Sequence, residues 1–161
     1  MRPMRLALTL AAALALPASA AEWAVIHDTP EPRTGPWVVN GCTIEPGTQC
    51  PGVDLRHADL AGAKLNGANL RGANLARADL RLSELRGADL SGADLRGATM
   101  EKVMLQGAKA PGADFTGADL DFSRMAGADM TGANLTAASM EFVWAPKARF
   151  VGASLTSAHL Q

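Results

Sequence analysis

The sequence lacks an excess of charge of either sign. Its 161 residues carry fifteen basic and sixteen acidic side chains, a formal net charge of −1 at pH 7. From Pro51 to Gln161, twelve basic side chains balance twelve acidic ones. This balance argues against a basic surface for nucleic acid and equally against an acidic surface that imitates one. We therefore expect no nucleic-acid partner.

The sequence also lacks the motifs of an enzyme. It has no phosphate-binding loop, dinucleotide fingerprint or metal-ligand spacing, and no general base stands at a defined spacing from a Ser or Thr. The three histidines, His27, His57 and His159, lie far apart in the chain. We expect no catalytic residue, no metal and no cofactor.

No stretch after residue 20 is long and apolar enough to span a membrane, but residues 1–20 have the layout of a secretory signal peptide. Two arginines precede an apolar run over residues 6–16, and small residues at 18–20 suit cleavage. The alternative is an uncleaved N-terminal anchor. We expect cleavage near Ala20 and a mature protein that is periplasmic or secreted.

Cys42 and Cys50 are the only cysteines. In an oxidising compartment, two cysteines eight residues apart most simply form a disulfide, and the alternative is a pair of free thiols. Closing so short a loop would stabilise the fold by roughly 2–3 kcal/mol in the chain-entropy description.

A five-residue repeat runs from residue 53 to the end of the sequence without slipping. Every fifth residue from Leu55 to Leu160 is apolar, and these 22 positions hold fourteen Leu, four Met, two Phe and two Ala. The positions two residues earlier hold seventeen Ala, three Val and two Ser. Because residues two apart share one face of an extended chain, both rows point inward and the intervening Asp or Asn points outward.

Glycine frequently ends each unit, which suits a tight turn with positive φ. An amphipathic helix is disfavoured, since a period of five does not keep one stripe on a helix of 3.6 residues per turn. The sixteen glycines oppose a helix as well. Each unit is therefore predicted to be a short flat side followed by a corner.

Runs such as ADLAGAKLNGANLRGANLARADL (58–80) resemble the pentapeptide-repeat family, and the resemblance covers residues 53–160 without a gap. It implies an all-β fold, a right-handed quadrilateral β-helix with four units per coil. The predicted solenoid has about five and a half coils, roughly 26 Å long at the spacing of paired strands. The predicted domains are a signal peptide (1–20), an extended N-terminal arm (21–36), a disulfide-pinned cap (37–52) and the β-helix (53–161).

Departures from the repeat recur every twenty residues. Two corner columns keep glycine almost throughout, whereas the column before them does not. That column reads Gly62, Leu82, Lys102, Phe122 and Phe142. This period supports four units per coil independently of the family resemblance.

One edge of the predicted solenoid therefore carries five large apolar side chains at outward positions. We call Leu82, Met104, Phe122, Phe142 and Trp144 the apolar edge. Exposed patches of a few hundred Å² usually mark a contact. Three alternatives stay open: the chain's own segment 21–50 covers the edge, a partner protein or second copy covers it, or it is bare.

A column of Asp and Asn residues is predicted along one side of the solenoid, and arginines lie near it. The column is Asp54, Asn74, Asp94, Asp114 and Asn134, with Arg56, Arg77 and Arg96 nearby. We expect these carboxylates and amides to hydrogen-bond locally rather than to bind a cation, and the arginines to balance their charge.

A stack of coils needs both ends covered. The segment CTIEPGTQCPGVDL (42–55) runs into the first coil, and residues 37–52 are predicted to cap that coil. At the other end the repeat continues to Leu160 with no covering helix after it, which leaves Phe150, Leu155 and Leu160 open. We expect these three to pair with another copy in an end-to-end homodimer.

Together these features predict a non-enzymatic, exported solenoid that acts as a structural or protein-interaction module, with an unidentified protein or itself as partner. One alternative follows from the quinolone-resistance branch of the family, whose members resemble DNA and bind DNA gyrase. The signal peptide, the neutral surface and the lack of a C-terminal dimerisation helix disfavour it. The other alternative is a cell-envelope or small-ligand binder that uses the Asp/Asn or Arg columns.

Overall fold

The computed structural model describes residues 36–160. The predicted signal peptide (1–20) and residues 21–35 of the predicted arm lie outside that range. The described part has only two strands longer than a single pair, and every other backbone pairing joins single residues of neighbouring coils.

Each five-residue unit closes with a tight turn. In the unit around Leu70, the carbonyl of Leu70 accepts a hydrogen bond from the amide of Ala73 at 3.0 Å. The third residue of that turn, Gly72, has a φ of 62°. A positive φ at this one position is the type II turn, which glycine adopts without steric cost.

Four such units make one coil. Parallel pairs join each outward residue to the residue twenty positions later, from Gln49 with Asn69 to Ser139 with His159. The backbone alternates its partners: the amide of Asp94 donates back to Ala73 at 2.9 Å, and the amide of Leu95 donates forward to Asp114 at 2.7 Å. The fold is the predicted right-handed quadrilateral β-helix.

The interior of the solenoid consists of the two predicted inward rows. The Leu row is fully buried from Leu55 through Leu135, and Phe115 is among the largest side chains with no exposed area. Alanine in the second row lets neighbouring sides approach closely, so the core is narrow and continuous. The alternation of large and small inward residues in the sequence therefore sets the width of the core.

A hairpin and a disulfide close the N-terminal end. Strand β1 (Val38–Val39) pairs antiparallel with β2 (Cys42–Thr43). Cys42 is joined to Cys50 by the predicted disulfide. Cys42 and Ile44 are buried in the same cluster as the first coil, whose Leu55 and Leu60 are fully buried.

The last coil is covered far less. Leu155 is 38% exposed and Leu160 is 58% exposed, whereas Leu55 at the other end is fully buried. Within residues 36–160, the amides of Ala145, Phe150 and Leu155 have no next coil to donate to. These side chains and amides are where the sequence predicts an end-to-end contact.

None of the described residues form a helix long and apolar enough to cross a bilayer.

Candidate interaction site

The corner column that departs from glycine keeps the backbone of a glycine corner. Leu82, Lys102, Phe122 and Phe142 have φ values of 60°, 58°, 57° and 54°. Gly62, one coil earlier in the column, has a φ of 67°. A residue with a Cβ in this left-handed region costs roughly 1–2 kcal/mol, so four bulky side chains are held here in a strained conformation.

The coil repeat brings these side chains into a stack. The rings of Phe122 and Phe142 lie 5.1 Å apart between centroids and 13° from parallel. The Nζ of Lys102 lies 5.6 Å from the centroid of Phe122 on the side of the preceding coil. Ring stacking and a cation over a ring each contribute roughly 0.5–1.5 kcal/mol, which offsets part of the strain.

All five residues of the predicted apolar edge lie together. Leu82, Phe122, Phe142 and Trp144 are 47–62% exposed, whereas Met104 is half-buried. The sulfur of Met104 accepts a hydrogen bond from the Arg86 guanidinium. The edge therefore presents four exposed apolar side chains over a stretch of four coils, and the coil of Met104 contributes none of them.

The apolar edge lines an open groove of about 750 Å³. Two rows of side chains form it, the corner row and the outward row of the next side. The lining residues are Leu82, Lys102, Met104, Phe122, Arg124, Phe142 and Trp144.

Sequence reasoning missed the two cations of this groove. Lys102 is paired with the carboxylate of Glu101 at 2.6 Å. Arg124 pairs in the backbone ladder with Met104 below and Trp144 above, and its guanidinium contacts no carboxylate within residues 36–160. The signal was available, because Arg124 occupies the same outward column as two residues of the apolar edge.

The inward row beneath the apolar edge also departs from the rest of the core. Ser83 and Ser123 are fully buried, and their Oγ atoms have no hydrogen-bond partner among the described residues. A buried hydroxyl without a partner costs about 1–3 kcal/mol. The side chains of the apolar edge and the inward row beneath them form what we call the irregular column. It lowers the stability of the fold both at the surface, through corner strain, and in the interior, through the unpaired hydroxyls.

Residues 37–50 do not cover the apolar edge. Ile44 donates to the carbonyl of Trp37 at 2.6 Å, Gly47 donates to Asn66 at 2.8 Å, and Asn40 donates from its side chain to Asp54. These bonds hold the segment at the N-terminal end of the solenoid. Residues 21–35, the rest of the segment proposed to cover the edge, lie outside the described residues.

The Asp/Asn column hydrogen-bonds locally, as predicted. Each member accepts the amide of the residue two positions later, as Asn74 does from Ala76 at 3.2 Å. Arg96 donates to Asp94 from both Nε and Nη2, and these bonds lower the pKa of the Asp94 carboxyl. Residues 36–160 contain no cluster of three His, Cys, Asp or Glu side chains placed to hold a metal ion.

Of the three arginines predicted to balance the column, two do so by direct contact. Arg56 pairs with Asp54 at 2.7 Å and Arg96 with Asp94 at 2.6 Å. Arg77 forms no ion pair within the described residues. It occupies a corner, with a φ of 57°, and its Cγ lies 3.6 Å from where a Cβ at Gly97 would stand.

Twenty-residue coils, four-sided stacking and an inward Leu row define the class of pentapeptide β-helices. A family model described as pentapeptide repeats, with eight copies, matches residues 48–87, 63–101 and 102–136. These matches together span more than half of the chain. The chain therefore belongs to the pentapeptide-repeat family, whose members are structural and interaction modules and are generally non-enzymatic.

Solved structures similar to this chain are pentapeptide-repeat proteins as well. HetL, involved in heterocyst differentiation regulation in the cyanobacterium Nostoc sp. strain PCC 7120, is 36% identical, with 70% of this chain and 57% of HetL covered and a TM-score of 0.45. A protein of the Arabidopsis thaliana thylakoid lumen is 34% identical, with 65% and 66% covered and a TM-score of 0.43. QnrB1, a plasmid-mediated fluoroquinolone resistance protein, is 23% identical, with 71% and 63% covered and a TM-score of 0.41.

The chain spans about three fifths of the length of these structures. No curated protein matches it. Membership of the family rests on the repeat match.

Proposed function

We propose that this protein is an exported, non-enzymatic interaction module that docks a protein partner through the apolar edge. The observation that carries the proposal is the stack of Leu82, Lys102, Phe122 and Phe142 in left-handed corner positions. Glycine fills most of the other corners without strain, and none of the remaining non-glycine corners carries a large apolar side chain. The exposed half of each apolar side chain of the edge adds nothing to the core. Strain held in register over four coils favours a role outside folding.

The rest of the solenoid supports this role by being rigid. The backbone of each interior coil is bonded on both sides, so neighbouring coils fix the spacing of the edge residues. A partner therefore meets a preformed surface and little ordering entropy is lost at the edge on binding.

The edge is tested by replacing its aromatic residues together: Phe122→Ser, Phe142→Ser and Trp144→Ser. We expect the free energy of unfolding to fall by only about 1–3 kcal/mol, the combined contribution of the ring stack and the cation–ring contact that are lost. We also expect loss of the partner in capture experiments from the cell envelope.

A matched control uses three corner residues that have the same backbone conformation but no large apolar side chain. Arg77, Ala137 and Lys147 have φ values of 57°, 57° and 61°. Their replacement by serine should leave partner capture unchanged. A loss well above the roughly 3 kcal/mol of those two contacts, in the edge variant alone, would show that the edge serves the fold instead.

Export is part of the same proposal, and the layout of residues 1–20 supports it. Mass spectrometry of the periplasmic and secreted fractions should find a mature N-terminus near Ala21. An intact chain in the cytosol would contradict export.

We also propose that the last coil associates with the last coil of a second copy. The exposure of Leu155 and Leu160 and the open amides of Ala145 and Phe150 support this contact, because an open coil end recruits another strand. Light scattering should show a dimer that Leu155→Lys disrupts. Monomer alone at high concentration would contradict it.

A further inference from the structure

We propose that the apolar edge binds an extended peptide segment in which apolar side chains flank a carboxylate. This inference rests on the proposed function and specifies the partner's chemistry. It follows from the length of the groove, from the bonding of its backbone and from its charge.

The length of the groove suits a short extended segment. Its corner row from Leu82 to Phe142 spans three coil steps, about 14 Å at the spacing of paired strands. An extended peptide advances about 3.3 Å per residue, so four or five residues cover the row. The exposed side chains form a patch well below the roughly 800 Å² per partner of a stable dimer, which favours a peptide over a second copy.

The backbone of the groove leaves no place for an added strand. The amide of Phe122 donates to Glu141 at 2.8 Å, and the amide of Arg124 donates to Val103 at 3.0 Å. Since these groups already pair along the solenoid, a ligand at the edge is recognised by side chains rather than by strand addition.

The middle of the edge favours apolar side chains over flat sugar rings. Phe122 has Phe142 on one face and the Lys102 ammonium near the other. Phe122 therefore presents its ring edge, and Leu82 presents an aliphatic group. Both pack well against apolar side chains but offer no stacking platform.

The charge of the groove selects a carboxylate. Both charged residues that line it, Lys102 and Arg124, are cationic. Glu101 neutralises Lys102, whereas Arg124 faces the groove without a carboxylate within residues 36–160. A guanidinium accepts a carboxylate through two parallel hydrogen bonds, so the uncompensated charge is placed to bind Asp or Glu of a partner.

The test begins with a random heptapeptide library displayed on phage, selected on the purified full chain and counter-selected on the Phe142→Ser/Trp144→Ser variant. We expect the selected peptides to carry Asp or Glu between aromatic or aliphatic residues. The tightest peptide is then synthesised with a fluorescent label, and its affinity is measured by anisotropy.

A double-mutant cycle links the carboxylate to Arg124. Either Arg124→Gln in the protein or Glu→Gln in the peptide should weaken binding about fivefold, which is the size of one exposed ion pair. The second change should add little once the first is made. Arg77→Gln, which removes another arginine without an ion pair, should leave the affinity unchanged.

Three outcomes would overturn the inference. If the selected peptides depend on the edge but show no acidic preference and no coupling to Arg124, the partner's chemistry is wrong and the edge remains a docking site. The same holds if no edge-dependent peptide is selected while envelope capture still depends on the edge. If light scattering shows a dimer that Phe142→Ser/Trp144→Ser abolishes, the occupant is a second copy.

Discussion

Two corner columns of this solenoid share one backbone and differ in their side chains. The glycine column (72, 92, 112, 132 and 152) has φ values of 62–68°, and the corners of the apolar edge have values of 54–60°. The same turn therefore forms with glycine and with leucine, lysine or phenylalanine. The stacking of coils sets the corner conformation, and the residue there can serve another purpose at a modest cost in stability.

The largest expected effect is the difference in stability loss between a substitution in the interior and one at the apolar edge. Phe115→Ala should lower the free energy of unfolding by about 3–5 kcal/mol, because Phe115 is fully buried and its removal leaves a cavity. Phe122→Ala should cost less, roughly 1–2 kcal/mol, since about half of that side chain is exposed and the main loss is its contacts with Phe142 and Lys102. Denaturant unfolding measures both, and equal losses would show that the edge is part of the core.

A smaller effect is expected when the glycine column is given the side chain of the edge. Gly92→Leu should cost about 1–2 kcal/mol, the price of a Cβ at its φ of 65°. No heavy atom lies within 4 Å of the added Cβ, so no clash contributes. Gly92→Asn should cost less, because Asn tolerates the left-handed region better. Identical losses for Leu and Asn would contradict a conformational origin.

Replacing a buried serine of the irregular column by the alanine that is usual in the repeat should stabilise the fold. Ser123→Ala removes a buried Oγ without a partner and should raise the free energy of unfolding by about 1 kcal/mol. Ser91→Ala is the matched control. The Oγ of Ser91 donates to Asp89, so its removal should lower the free energy of unfolding slightly. A destabilised Ser123→Ala would mean that this hydroxyl has a bonding role.

The smallest expected effect is on pH dependence and concerns the regular sides. Hydrogen bonds from Arg96 and Arg81 lower the pKa of Asp94 and of Asp79 below the usual 3.8. A lowered folded-state pKa gives stability that is present above pH 3.8 and is lost as pH falls through the folded value. Each pair should contribute only a little to stability, because the arginines are exposed and solvent screens the pairs.

Thermal unfolding between pH 5 and pH 2 measures this loss. Asp94→Asn should reduce the fall in unfolding temperature between pH 5 and pH 2. Phe122→Ala should leave that fall unchanged. A fall unaffected by Asp94→Asn would place the responsible carboxyls elsewhere.

The sequence predicted the fold closely because the repeat leaves few choices. The inward Leu at every fifth position determines where each side and each corner of the solenoid lies. The period of twenty among the exceptions determines the length of a coil. Local bonding of the Asp/Asn column was predictable for the same reason, since Asp and Asn before a turn commonly accept the amide two residues later.

The chemistry of the candidate site was less predictable. The stack of Phe122 on Phe142 and the isolation of Arg124 depend on side-chain conformations and on which carboxylates lie within reach. The twenty-residue period gives the order of residues along the edge. It does not show that Glu101 pairs with Lys102 while Arg124 has no carboxylate partner among residues 36–160. The unpartnered hydroxyls of Ser83 and Ser123 depend on the same local geometry.

The pairing of each residue with the one twenty positions later also constrains how the gene can change in length. Deletion of twenty residues removes one whole coil and returns every later residue to its own column. Deletion of five keeps the inward rows in phase but rotates everything that follows by one side of the square. The apolar edge would then be cut into two segments on adjacent corners, so the fold tolerates steps of five whereas a continuous edge allows only steps of twenty.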